Sequence, residues 1–120
     1  MISIRKEEFV ILCEKTSCIL HELQFGVHRL GYRQLLLLVP YYALDNNQSL
    51  SKELYPCVAK QFDHTSWQSV EHGVRIAILD AWKRRDSTVW NKYFSGIGKV
   101  PSNKQFLAII SELIKETPPN

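Results

Sequence analysis

Apolar side chains recur along this chain every three or four residues, and the alternation of a half-buried strand is nearly absent. Phe9, Leu12, Cys13, Ile19, Leu20 and Leu23 share one stripe, with Thr16 in step. This predicts an amphipathic helix from about Ile4 to Leu23, ended by Gln24–Gly26 because glycine suits a helix C-terminus. A second helix is expected from about Leu30 to Leu44, apolar over most of its circumference and therefore buried. Pro40 lies inside it. Proline lacks a backbone donor and clashes with the preceding turn, so a kink or an early end is expected there.

After the polar loop Asp45–Gln48, Ser49 can cap a third helix reaching Phe62. Pro56 interrupts it, either kinking it or restarting it with the proline in the first turn. Asp63 to Ser66 is a polar turn. The stretch "TSWQSVEHGVRIAILDAW" (65–82) then sets Val70, Val74, Ala77, Ile78 and Ala81 on one helical face. Thr65 or Ser66 caps this fourth helix, and Lys83, Arg84 and Arg85 complement its C-terminal dipole. A short helix near Ser87–Phe94 and a loop with Gly96 and Gly98 follow. Ser102-Asn103-Lys104-Gln105 fits a capping box opening a last helix that carries Phe106, Ile109, Ile110, Leu113 and Ile114. "TPPN" is a frayed tail. The fold class is all-α, a compact bundle of about six helices.

Composition narrows the function. The 120 residues suit one domain, and 45% apolar content can bury a core without staples. Three cysteines without a CxxC pair argue against a disulfide framework and fit a reducing compartment. The opening MISIRKEEF is broken by charge too early for a signal peptide, and the run Leu35–Val39 is too short to span a bilayer. A cytoplasmic protein with no membrane partner is expected. His21, His28, His64 and His72 share no ligand spacing with the cysteines, so neither a metal nor another cofactor is expected. No nucleophile–base pairing or phosphate-binding glycine loop is visible, which excludes an enzyme and a small-molecule substrate. The net charge of +3 permits nucleic acid without demanding it, so placement must decide.

Placement favours the fourth helix. The four-residue turn before it has the spacing of a helix-turn-helix. It is about one residue longer than the commonest form, and Asp63 stands where glycine is frequent. Ala59 is the small residue such a crossing needs, with Val58, Phe62, Val70 and Val74 as core. Gln68, His72 and Leu79 point away from the apolar face, and Glu71 and Arg75 border it. A recognition helix contacts bases through its N-terminal residues. Glutamine can pair with adenine, arginine with guanine and glutamate with cytosine, while histidine can donate to guanine N7 or to phosphate. Gln68, Glu71, His72 and Arg75 are therefore the candidate base readers. Lys60, Thr65 and Ser66, with His28, Arg29 and Lys104, are the candidate phosphate contacts. Outside a helix-turn-helix the same four readers are a solvated face, and His28 with Arg29 a solvated loop. Trp67, Trp82, Trp90, Tyr41 and Tyr42 are read as core, and His21 as a packed or capping residue.

Four segments carry a resemblance. "HELQFGVHRLGY" (21–32) is similar to HEIG-x-x-x-H-x-x-GY, and "LYPCVAKQF" (54–62) to LYP-x-[IV]-A-K-x-[FY]. "VEHGVRIAILDAW" (70–82) resembles V-E-R-x-[IV]-R-x-A-I-x-x-AW, and "PSNKQFLAII" (101–110) resembles P-[ST]-N-x-x-F-[IL]-A. Together they resemble the C-terminal DNA-binding effector domain of the sporulation initiation master response regulator, over about residues 16 to 115. The resemblance implies a domain of about six helices that binds duplex DNA through its fourth helix as a transcriptional regulator.

Two departures qualify it. The family has an arginine that contacts guanine where this chain has His72, and a histidine where it has Ile76. A different box or weaker binding is implied, because a lost bidentate contact costs about 1–3 kcal/mol of discrimination. The alternative reading is a helical protein-interaction domain that kept the fold and lost DNA, with Ile76 and Leu79 in its interface. The family also places a receiver domain ahead of this one, and none fits before Thr16. The chain is then a stand-alone effector or a piece of a longer one. Residues 1–15 form an extension that either mediates a homodimer or packs on the domain, and residues 116–120 form the tail.

Overall fold

A computed structural model describes residues 6–62 and 65–116. Asp63 and His64 in the predicted turn, Ile4 at the predicted first helix start, and the TPPN tail lie outside the described residues.

Helix α1 spans Lys6–Glu22 and buries Leu12, Thr16 and Leu20. The Thr16 hydroxyl donates to the Leu12 carbonyl at 2.7 Å, which satisfies a polar group in the core. The helix ends where expected, but not on glycine. Gln24 takes the left-handed conformation, with φ 65°. Its N–H donates to the His21 carbonyl and that of Phe25 to the Leu20 carbonyl, both at 3.0 Å. This is a Schellman end whose apolar anchor is the buried Phe25. Packing of Phe25 against Phe106, with ring centroids 5.4 Å apart, holds Gln24 in that conformation.

Helix α2, Leu30–Leu44, is the centre of the molecule and packs against the first, fourth and last helices. Pro40 does not end it. The proline withdraws the N–H that would bond the Leu36 carbonyl, and the Cys13 thiol of α1 donates to that carbonyl at 3.3 Å instead. Burial pushes the Cys13 pKa up, which keeps the donor protonated. Gln34 is also buried, and neither atom of its amide has a partner. Gln34→Met is therefore expected to raise stability by about 1 kcal/mol, because an unsatisfied buried amide is lost. A denaturation midpoint followed by tryptophan fluorescence measures this, and a lowered midpoint would show that the amide has a partner after all.

Ser49 caps the third segment, accepting from the Lys52 N–H at 3.3 Å. A π-helical turn, Leu50–Leu54, leads into the short α3, Tyr55–Ala59, with Pro56 in its first turn. Proline thus restarts the helix. The helix does not reach Phe62: Gln61 and Phe62 bond back three residues, to Val58 and Ala59, and this tighter winding turns Phe62 onto the core.

Helix α4, Trp67–Lys83, buries Val70, Val74, Ala77, Ile78 and Ala81. Its cap is Ser66, which accepts from the Ser69 N–H at 3.2 Å. Asp86 caps α5, Ser87–Phe94. Helix α6, Asn103–Glu116, opens on the predicted capping box. The Ser102 hydroxyl accepts from the Gln105 N–H at 3.1 Å, and the Gln105 side chain accepts from the Ser102 N–H at 2.9 Å. Trp90, Phe94 and Phe106 join Phe25 in one aromatic cluster. Glu22 ties α1 to α5 by accepting from Lys92 and from the Tyr93 hydroxyl, and these bonds hold its carboxyl below the usual range. Trp82 and Trp67 are half-buried rather than enclosed; Trp82 carries Arg85 stacked 3.8 Å from its ring centroid. The result is an all-α bundle of six helices, with no strand among the described residues.

Two glycines set the place of α4. A Cβ on Gly31 would lie 2.2 Å from the Gly73 carbonyl oxygen, and one on Gly73 would lie 2.9 Å from Gln34 Oε1. Helices α2 and α4 thus cross backbone against backbone at this pair.

Candidate nucleic-acid interface

Helix α4 displays Gln68, Glu71 and His72 to solvent on its first two turns, with Arg75 half-buried one turn further on. Ser66 is occupied as the cap, and its hydroxyl lies 3.0 Å from that of Ser69. Lys60 is exposed in the turn before α4, and Thr65 is half-buried there. Gln68, Glu71 and His72 thus share the N-terminal end of α4, and Lys60 lies at the end of α3.

Beside them runs an open cleft of about 860 Å³. Glu71, His72 and Arg75 line one wall, and Ser102, Asn103 and Lys104 line another. The loop from Asn46 to Ser51 faces both. The junction of the two helical walls is hydrogen-bonded. Arg75 Nη1 donates to the Pro101 carbonyl at 2.6 Å. Asn103 Nδ2 donates to the Glu71 carbonyl at 3.1 Å and to the Tyr55 hydroxyl at 3.2 Å. Burial pushes the Tyr55 pKa up, so the phenol stays neutral at that junction. Sequence reasoning missed Asn103, Tyr55 and the loop. The Pro101–Ser102–Asn103 segment was a signal that this turn matters, but nothing in it names Glu71 as a partner.

Arg29, one of the candidate phosphate contacts, is engaged further along α4. Arg29 is salt-bridged to Asp80 at 3.2 Å, and Arg84 holds the same carboxylate at 2.9 Å. The Arg84 hydrogen bond first, then the charges of both arginines, keep the Asp80 pKa below its ordinary range. Asp80 lies about 18 Å along the helix from Gln68. Lys104, by contrast, is exposed at the start of α6 and lines the cleft. Ile76 is 38% exposed on the outer side of α4, and Leu79 is half-buried.

Residues 16–114 match the family described as sporulation initiation factor Spo0A C terminal. The chain belongs to that family. The Spo0A C-terminal family is a DNA-binding, regulatory domain rather than a catalytic one. Its match begins at the buried Thr16, midway along α1, and ends at Ile114, the last buried residue of α6. Lys6–Lys15, the first half of α1, stands outside it. Among the described residues no helix is long and apolar enough to cross a membrane, and no three His, Cys, Asp or Glu side chains gather as a metal would need.

Proposed function

We propose that this Spo0A-type domain binds duplex DNA sequence-specifically as a transcriptional regulator, with α3, the following turn and α4 acting as a helix-turn-helix. The observation that carries the reading is the exposed row Gln68, Glu71 and His72 at the start of a helix whose opposite face is fully buried. Arg75 completes the reading set from the cleft edge. Lys60, Thr65 and Ser66 flank the same helix end as phosphate contacts, and Lys104 adds a cation from α6. His28 and Arg29 are further candidate phosphate contacts, and Arg29 would exchange its Asp80 partner for a phosphate. His72 is the residue through which this chain reads a base differently from relatives that carry arginine there.

Titration of a duplex carrying the family's box, and of a random duplex, at two salt concentrations tests this. Affinity should fall steeply with salt, with a log–log slope of about −0.9 per phosphate neutralised. Lys60→Ala should weaken all duplexes alike and reduce the slope by about one. Absence of binding to any duplex at low salt would overturn the proposal. The exposed Ile76 favours the second reading, a helical protein-interaction domain, if that is the outcome.

A further inference from the structure

Helix α4 is tied along one side at three points, four residues apart. Trp67, its first residue, stacks on Tyr55 at the start of α3, with ring centroids 6.4 Å apart and planes 5° from parallel. The Glu71 carbonyl accepts from Asn103 Nδ2 at 3.1 Å, and Arg75 Nη1 donates to the Pro101 carbonyl at 2.6 Å. Residues at this spacing lie one above another on a helix. Asn103 joins α3, α4 and α6 through one group, because the same Nδ2 donates to the Tyr55 hydroxyl at 3.2 Å. A backbone carbonyl only accepts, so the amide must turn its two donors toward this junction.

These ties fix an angle. Gly31 and Gly73 set how closely α4 approaches α2, and Asn103 holds how α4 is turned about its own axis. Gln68 and His72 each follow a tied residue by one position, about 100° around the helix. A side-chain tip stands about 6 Å from the axis, so a rotation of about 10° carries it roughly 1 Å sideways. A base contact depends on distance and direction together, and a shift of that size degrades both. A phosphate contact suffers less, because charge attraction falls only gradually with distance.

We infer that Asn103 is a positioning residue for base recognition: from α6, outside the helix-turn-helix, it sets the rotation of α4 and thereby how sharply Gln68 and His72 discriminate. The inference rests on the reading of DNA by α4.

Titrations of the full chain test it, with the preferred duplex, its single-base variants and a random duplex, and with circular dichroism to verify folding. Asn103→Ala should lower the ratio of specific to random affinity by roughly tenfold, the scale of one good base contact, and keep the salt slope. Asn103→Asp, which has the same shape without the donor, should lose as much of the ratio. Tyr55→Phe keeps the ring stack and removes one acceptor, so it should lower the ratio in the same direction by less. The lost discrimination should fall at the base positions where Gln68→Ala and His72→Ala also lose it. In a His72→Ala chain, Asn103→Ala should cost less than it does alone, because the two act through one contact. A ratio unchanged in folded Asn103→Ala, an equal loss on every duplex, or full additivity with His72→Ala would overturn the inference while α4 still reads DNA. A wild-type chain that prefers no duplex would remove that reading, and the inference with it.

Discussion

Gly31→Ala is expected to destabilise the protein by about 2 kcal/mol net, the upper end of the cost of overpacking less the gain in helix propensity. The new methyl would meet the Gly73 carbonyl oxygen at 2.2 Å and the Ala77 Cβ at 2.8 Å. The first obstacle is backbone, which no rotamer change can move aside. Helix α2 must back away from α4, and because α2 is central the strain reaches the first and last helices as well. Gly73→Ala is the control. Its methyl meets only the tip of Gln34, at 2.9 Å, and a side-chain end can swing away. Alanine also favours the helix over glycine by about 1 kcal/mol, so the net change there should be near zero. Urea midpoints of the two variants, followed by tryptophan fluorescence, make the comparison. Equal losses at both positions would contradict a backbone contact.

The second large effect concerns recognition. Arg75→Ala should relax discrimination between the preferred and random duplexes by about 1–3 kcal/mol. The guanidinium has five donors, and its Nη1 is engaged with the Pro101 carbonyl. That bond aims the side chain along the cleft edge before DNA arrives, so less freedom is lost on binding. Arg75→Lys should fail to rescue discrimination, because an ammonium cannot make the planar paired contact. The loss of the Pro101 bond should itself lower stability by only about 1 kcal/mol. The measured quantity is the ratio of specific to random affinity for each variant. A ratio unchanged in Arg75→Ala would remove this residue from the reading set.

Helical period and end signals made much of this architecture legible. The five apolar residues of α4 are all buried, Ser66 caps the helix, and Ser102 with Gln105 forms the reciprocal box. These are short-range effects, decided within one or two turns. What escaped depends on partners far away in the chain. Pro40 reads as a break until Cys13 is seen serving the Leu36 carbonyl. Gln24 is an unlikely left-handed residue until Phe25 finds Phe106. Arg29 reads as a free cation, yet Asp80 holds it. For the candidate interface, period placed Gln68 and His72 on the outer face with Glu71 and Arg75 on its border, and four quoted segments gave the family. Neither could show that Arg75 and Asn103 bolt α6 to α4, because hydrogen bonds between helices leave no periodic trace.

The glycine crossing also has a bearing on how such a domain can diversify. Helix α4 is seated through backbone and small side chains at Gly31, Gly73 and Ala77, and through its buried apolar face. Gln68, Glu71 and His72 take no side-chain part in that seating. Their identities are free to drift, or to be randomised in a library, while the helix keeps its position to within a side chain's reach. Arg75 lacks that freedom because Pro101 depends on it. A selection for new target sequences should therefore accept many combinations at 68, 71 and 72 and few at 75, with Gly31 unvaried throughout.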